Sequence, residues 1–218
     1  MIGLLLPQGN PLRVLVIGAH GDDVEIGAGG TVLELGRQAP ALELTAFVAT
    51  STPERAAECR AGLTALAGPA SLSIEIGELP DSRLPAHFDA VKDRLAGLAV
   101  GPWDLVLAPH AEDAHQDHAL LGRLVPTAFR DHLILHYEVP KWDGDLGSLR
   151  PNLYVPLSAE QVQRKWDILD QHYASQRAHD WWDREIFAGL ARLRGMECRS
   201  RYAEAFRVDK MLLHGGCR

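Results

Sequence analysis

Two short polar clusters, Ala19-His20-Gly21-Asp22-Asp23 and His115-Gln116-Asp117-His118, each stand after an apolar, strand-like run. His20 and Asp23 are three positions apart, His118 adds a second imidazole from far along the chain, and Asp22 is left beside them as a carboxylate with no evident structural duty. Nitrogen and oxygen donors of these kinds suit zinc, and three of them with a spare carboxylate describe an open, hydrolytic site better than a closed structural one. A metal held in this way lowers the pKa of bound water to roughly 7, and the spare carboxylate can take the proton. The expected cofactor is therefore Zn2+, although iron, cobalt or nickel can occupy similar sites.

The second cluster extends upstream as Pro109-His110-Ala111-Glu112-Asp113-Ala114-His115-Gln116-Asp117-His118. Three histidines and three acids fall within nine residues there, a density that solvated faces seldom reach. A loop leading into a helix sets His115 and His118 about one turn apart on the same side. His118 is then expected on the metal and His115 near the substrate, as an oxyanion stabiliser or proton donor. His110, Asp113 and Asp117 are expected to orient the imidazoles from behind. Simpler readings stay open for parts of this set: Asp22 or Asp23 can cap a helix, His20 can be a core histidine, and His110 and Asp113 can be purely structural.

The elements around the clusters alternate. The run LRVLVIGA over 12–19 reads as a strand covered on both faces, which delivers His20 at its C-terminal end. A glycine-rich loop with Gly27, Gly29 and Gly30 should follow, then a helix from Thr31 to Gln38. Further strands are expected over 42–50, 71–76, 103–108 and 132–137, with helices over 53–66, 86–98 and 119–129, the last perturbed at Pro126. Residues 140–156 read as loop, and 161–173 as a helix with Trp166, Leu169 and Tyr173 on one face. A last helix over 180–193 turns Trp182, Ile186, Phe187, Leu190 and Leu193 inward, with Gly195 as its stop. The expected fold class is α/β: a Rossmann-like three-layer sandwich with a mostly parallel sheet, one domain over 1–218, whose C-terminal helical and loop region walls the pocket. In such sheets the site lies beyond the carboxyl ends of the strands, where both clusters fall. Glycines after a first strand also invite a dinucleotide-binding reading, which fails on position. Asp22, Asp23 and Glu25 stand where a pyrophosphate would have to approach.

With 46% hydrophobic and 23% charged residues the composition is that of an ordinary soluble globule. A formal charge of -7 argues against a general nucleic-acid surface, and the one local basic concentration, Arg192, Arg194, Arg199 and Arg201, is explained by a solvated helix end. Cys59, Cys198 and Cys217 are too few and too scattered for a disulfide framework, so they read as reduced thiols in a cytoplasmic protein. Residues 1–7 are apolar but lack the basic flank and length of a signal peptide, and no run approaches the roughly 20 apolar residues of a membrane span. They are expected to form a short arm that packs on the fold or on a second subunit of a homo-oligomer.

At both motifs the sequence resembles the PIG-L/LmbE-like deacetylases. The family's first motif, Ala-His-Pro-Asp-Asp followed by a Glu and glycines, corresponds to Ala19-His20-Gly21-Asp22-Asp23-Val24-Glu25-Ile26-Gly27, with glycine in place of the proline. Its second, Asp-x-His-x-Asp-His, corresponds to Asp113-Ala114-His115-Gln116-Asp117-His118. Further similarity lies at Glu54-Arg55 with Glu58, at 79–84, and at Arg194-Gly195 followed by 203–206. The resemblance implies a zinc-dependent hydrolase that removes the N-acetyl group from an N-acetylglucosamine-type sugar or conjugate. It implies His20, Asp23 and His118 on zinc, Asp22 as general base, His115 stabilising the tetrahedral intermediate, and Arg55 and Asp81 near the sugar hydroxyls. Gly21 is expected to loosen the turn that aims Asp22. Trp142, Trp181 and Trp182 are candidates to stack on a sugar ring, with core packing the competing use. Two alternatives stand beside this: a metal amidase acting on another small amide or a thiol conjugate, and a non-catalytic sugar- or nucleotide-binding protein.

Overall fold

The central strand β1 (Leu12–Gly18) buries consecutive residues on both faces, with Val14, Leu15, Val16 and Ile17 all fully enclosed. A strand can do this only where helices cover both sides of its sheet. The computed structural model describes residues 11–39, 41–140 and 149–212; the arm 1–7, Trp142, Cys217 and much of the 140–156 stretch lie outside the described residues. Parallel to β1 run β2 (Leu42–Thr50), β3 (Ser71–Leu79), β4 (Leu105–Pro109) and β5 (Ile134–Tyr137). Two further strands, β6 (Leu153–Leu157) and β7 (Tyr202–Arg207), are antiparallel additions, giving the order β3-β2-β1-β4-β5-β7-β6.

Side chains of β1 that point one way join a core with α1 (Asp23–Gln38), α2 (Pro53–Ala67), α5 (Ala159–His172) and α6 (Arg184–Glu197). Those that point the other way, Leu15 and Ile17, pack with α3 (Phe88–Leu98) and α4 (Gln116–Ala128). The result is the three-layer α/β sandwich that the alternation implied. The connection after β1 leads to β2 on one side, while β4 lies on the other, so a crevice opens beyond the carboxyl ends of β1 and β4. His20 follows β1 and the cluster 110–118 follows β4. Among the described residues no helix is long and apolar enough to cross a membrane.

The structure corrects the sequence reading at four places. No glycine-rich loop follows β1: α1 starts at Asp23 and carries Gly27, Gly29 and Gly30 inside it. These glycines allow close approach. A Cβ on Gly27 would overlap the Tyr137 ring of β5, and one on Gly30 would overlap Leu157 of β6 and stand 3.0 Å from Glu204 Oε1. Strands β6 and β7 had no strand signal, because Pro156 interrupts one and the short, alanine-rich YAEAFR forms the other. Gly195 lies within α6 and does not stop it; a Cβ there would meet the Arg201 backbone at 2.6 Å. The inward face of α6 is Phe187, Ala191 and Arg194, whereas Ile186 and Leu193 are exposed. Arg194 is therefore no solvated helix end. It makes two 2.7 Å bonds to the buried Glu138 and a third, at 2.8 Å, to Glu197.

The middle of α1 is also fastened by side chains from the C-terminal third. Glu204 of β7 accepts from the Gly30 and Thr31 amides at 2.9 and 2.6 Å, and Lys165 of α5 donates to the Ile26 carbonyl at 2.5 Å and to Glu204 at 2.7 Å. Replacing Gly27 with Ala should therefore destabilise the protein by about 1–3 kcal/mol through overpacking. Gly36→Ala, on the exposed end of the same helix, should be neutral or stabilising by up to about 1 kcal/mol. Urea unfolding of both variants checks this, and equal stabilities would remove the close-approach argument.

Candidate metal centre

Where β1 ends, the Ala19 carbonyl is held from β2 by the Thr50 amide at 2.9 Å and the Thr50 hydroxyl at 2.7 Å. The chain then turns directly into α1. Asp23, the first residue of that helix, accepts through Oδ2 from the Ala19 and His20 amides at 2.9 and 2.8 Å, which staples the turn. Its other oxygen, Oδ1, lies 3.1 Å from His118 Nε2. Asp22 occupies the N-cap position without a side-chain capping bond, so the capping reading does not account for its carboxylate.

The segment after β4 is organised by Asp113. One of its oxygens accepts from the His115 amide at 2.8 Å and the other is 2.9 Å from His118 Nδ1. His115 caps α4, its Nδ1 accepting from the Asp117 amide at 3.3 Å. Asp117 is fully buried. Its Oδ1 accepts from the Leu84 amide at 3.0 Å, and its Oδ2 stands 3.4 Å from His20 Nε2. Asp81 reaches the same nitrogen at 3.0 Å.

These contacts assign the imidazole protons. The bond to Asp113 puts the His118 proton on Nδ1, and the carboxylates of Asp81 and Asp117, 3.0 and 3.4 Å from His20 Nε2, favour a His20 proton there. His20 Nδ1 and His118 Nε2 then face each other at 3.1 Å, with Asp23 Oδ1 3.1 Å from the latter, so a proton or a cation belongs among them. Donors bonded to zinc at about 2.0–2.1 Å in tetrahedral geometry stand roughly 3.3 Å apart, so the His20–His118 and His118–Asp23 separations suit a divalent cation. Two other combinations, His20 with His115 and His118, and His20 with Asp81 and Asp117, bring one ligand atom from each residue within 4.8 Å of one another. The Asp117 amide occupies His115 Nδ1, which favours Asp23 as the third ligand.

The electrostatics point the same way. Burial of His20 disfavours its charged form, yet the charge and bonds of Asp23, Asp117 and Asp81 outweigh that and raise its pKa well above the ordinary value. The hydrogen bond to His20 in turn lowers the pKa of Asp81. Burial of Asp113 acts against its ionised form, but the His118 bond and charge keep its pKa below the usual carboxylate range. The pocket thus favours positive charge at its centre. Beneath it, burial pushes the Glu25 carboxyl up to about 8, against the 2.5 Å hydrogen bond donated by Tyr173.

A cleft of about 590 Å³ opens at the centre, lined by Asp22, Arg55, Asp81, His115, His179 and Trp181 among others. Arg55 lines it, but its guanidinium is already engaged: Nη2 is 3.2 Å from Asp22, and Nη1 is 3.1 Å from Glu58 and 3.3 Å from the Ser175 hydroxyl. Asp81 likewise touches a histidine as well as the cleft. His110 is buried behind this set, and its field acts on Asp113 and His136. Gly21 has no positive φ; its place lies against α2, where a Cβ would stand 3.1 Å from Cys59 Cβ. The turn it belongs to is braced by Thr50 and Asp23. Of the described tryptophans, Trp181 reaches the cleft while Trp182 packs with Tyr173, Trp166 and Phe187. Glu58 was marked only through the family resemblance and Ser175 not at all, because their contacts depend on a loop folding back over α2.

The profile of the family described as PIG-L: GlcNAc-PI de-N-acetylase matches residues 15–129, more than half of the sequence. The chain belongs to this family. Three solved structures share its fold. N,N'-diacetylchitobiose deacetylase from Pyrococcus horikoshii is 22% identical with a TM-score of 0.68, over 90% of this chain and 83% of that one. GalB, the 4-carboxy-2-hydroxymuconate hydratase from Pseudomonas putida KT2440, is 18% identical with a TM-score of 0.75, over 95% and 100%. The A40926 pseudoaglycone deacetylase Dbv21 is 17% identical with a TM-score of 0.68, over 93% and 99%. At these identities the likeness is one of fold.

Because the acids around His20 hold a proton on it in the metal-free protein, a metal must displace that proton. Zinc affinity should therefore rise with pH through and above the ordinary histidine range, and binding at pH 7 should release a proton. Calorimetry in buffers of different ionisation enthalpy measures this release. Asp113→Asn should lower zinc affinity about 10–100-fold by losing tautomer control of His118; unchanged affinity would remove Asp113 from the site.

Proposed function

We propose that this protein is a zinc-dependent N-deacetylase that hydrolyses the acetamide of an N-acetylglucosamine-type sugar or sugar conjugate, releasing acetate and the free amine. The observation that carries the reading is the convergence of His20 Nδ1, Asp23 Oδ1 and His118 Nε2 at the floor of a cleft that also presents Asp22 and His115. Membership of the PIG-L family supports it.

In this reading His20, Asp23 and His118 hold the cation, and Asp113, Asp117 and Asp81 fix the two imidazoles. A divalent cation bound there supplies Lewis acidity, lowering the pKa of water and polarising a carbonyl. Asp22 accepts the proton of the attacking water, and Arg55 keeps that carboxylate aimed into the cleft. His115 carries its proton on Nε2, since Nδ1 accepts from the Asp117 amide, so it can donate to the oxygen on which negative charge develops. The departing nitrogen then takes its proton from Asp22 or His115. Arg55 and Asp81, at the rim, are placed to meet sugar hydroxyls.

Hydration of a carbon–carbon double bond is a second reading, favoured by the fold match to the hydratase. It would use the same water-activating residues but release no amine. Zinc-loaded protein should liberate acetate from at least one N-acetylglucosamine derivative, and a chelated control should not. Asp22→Asn should retain zinc while kcat falls about 10²–10⁴-fold. Near-normal turnover in that variant would remove Asp22 as the base, and no acetate from any derivative despite bound zinc would overturn the deacetylase reading.

A further inference from the structure

The charges around the cleft are nearly cancelled before any substrate enters. A divalent cation at the centre is matched by Asp22 and Asp23. Among the described lining residues Arg55 is the one permanent cation, and it lies 3.2 Å from Asp22 and 3.1 Å from Glu58. Asp81, also in the lining, adds a further carboxylate with most of its side chain exposed. Among the described lining residues an incoming carboxylate or phosphate would find no uncommitted positive side chain and would meet like charge.

What the cleft does offer is neutral. His179 stacks parallel on Trp181, with ring centroids 5.7 Å apart and planes 10° apart, and Trp182 meets Trp181 edge-on at 5.4 Å. His179 is exposed, so its outer face is available as a flat wall. Ser51, Ser82, Gln116 and Gln176 supply uncharged hydroxyls and amides around the rim. An aromatic wall with neutral hydrogen-bonding side chains suits a pyranose, which has an apolar C–H face and hydroxyls at its edge.

Resting on the deacetylase reading, we propose that the cleft selects an uncharged N-acyl amino sugar, with its ring against the His179–Trp181 wall, and discriminates against conjugates that carry a carboxylate or phosphate. The wall is anchored by the same carboxylate that neutralises Arg55. Glu58 accepts from the Ser175 amide at 2.8 Å and the Ser175 hydroxyl at 2.6 Å, at the start of the loop that leads to His179.

The test compares the methyl glycoside of N-acetylglucosamine with N-acetylglucosamine 1-phosphate on zinc-loaded protein at pH 8. Acetate release gives kcat/KM, and calorimetry gives Kd for the same pair. The neutral compound should be favoured about tenfold or more in both readouts. Glu58→Gln, which removes one of the two carboxylates from Arg55, should narrow that ratio several-fold. His179→Ala should raise KM and Kd for the neutral sugar several-fold. Equal or tighter binding of the phosphate overturns the charge selection, and an unchanged Kd in His179→Ala overturns the wall. Selective binding without acetate from these or any other N-acetylglucosamine derivative would sink the deacetylase reading and leave the selection standing.

Discussion

His118 Nε2 stands 3.1 Å from both His20 Nδ1 and Asp23 Oδ1 in a buried pocket, and the bond from its other nitrogen to Asp113 leaves it presenting a lone pair. Such an arrangement is repulsive unless positive charge lies among the three atoms. The rest of the site reads as a consequence. Asp113, Asp117 and Asp81 set the tautomers, backbone amides fix the Asp23 and Asp117 carboxylates from outside, and Thr50 ties the turn that carries His20 to the neighbouring strand.

That precision depends on where α1 sits, because its first residue is a proposed ligand and its N-cap the proposed base. The helix is laid unusually close to the sheet: Gly27 against Tyr137 and Gly30 against Leu157 leave no room for a Cβ. Tyr137 donates its hydroxyl to the Ile17 carbonyl at 2.6 Å, so the ring that Gly27 accommodates is itself fixed to β1. The Lys165–Glu204 pair then bonds backbone groups in the middle of the helix. A buried ion pair is weak evidence for stability in itself. Here it works through directed bonds to the Ile26 carbonyl and the Gly30 and Thr31 amides, which fix the axial position of α1. The C-terminal third thus shapes the end of the sheet that carries the candidate site from a distance.

The cleft wall and the reacting end share one anchor. Glu58 holds Ser175 of the loop between α5 and α6 and also holds Arg55, and Arg55 holds Asp22. Tyr173, just before that loop, lies under the Arg55 guanidinium at 5.6 Å and donates to Glu25. Displacing the loop would therefore disturb the proposed general base, Asp22, as well as the proposed substrate wall.

The residue types at 20, 22, 23, 115 and 118 and the β/α alternation were legible in the sequence, because ligand chemistry resides in side-chain identity and parallel strands announce themselves as continuous apolar runs. The alternation also sufficed to put both clusters at the carboxyl ends of β1 and β4. What the sequence did not contain was meaning for residues that act by contact. Gly27 and Gly30 look like a loop until Tyr137 and Leu157 are placed against them, and Arg194 looks solvated until Glu138 is found beneath it. Strands β6 and β7 carry too little branched apolar character to be seen, and only pairing, of β7 with β5 and of β6 with β7, makes them strands. Arg55 and Asp81 could be nominated for the cleft, but their engagement with Asp22 and His20 is set by a side-chain geometry that spacing does not encode. Local chemistry was fixed by the order of residues; which groups neutralise, orient or exclude one another was decided by packing between segments far apart in the chain.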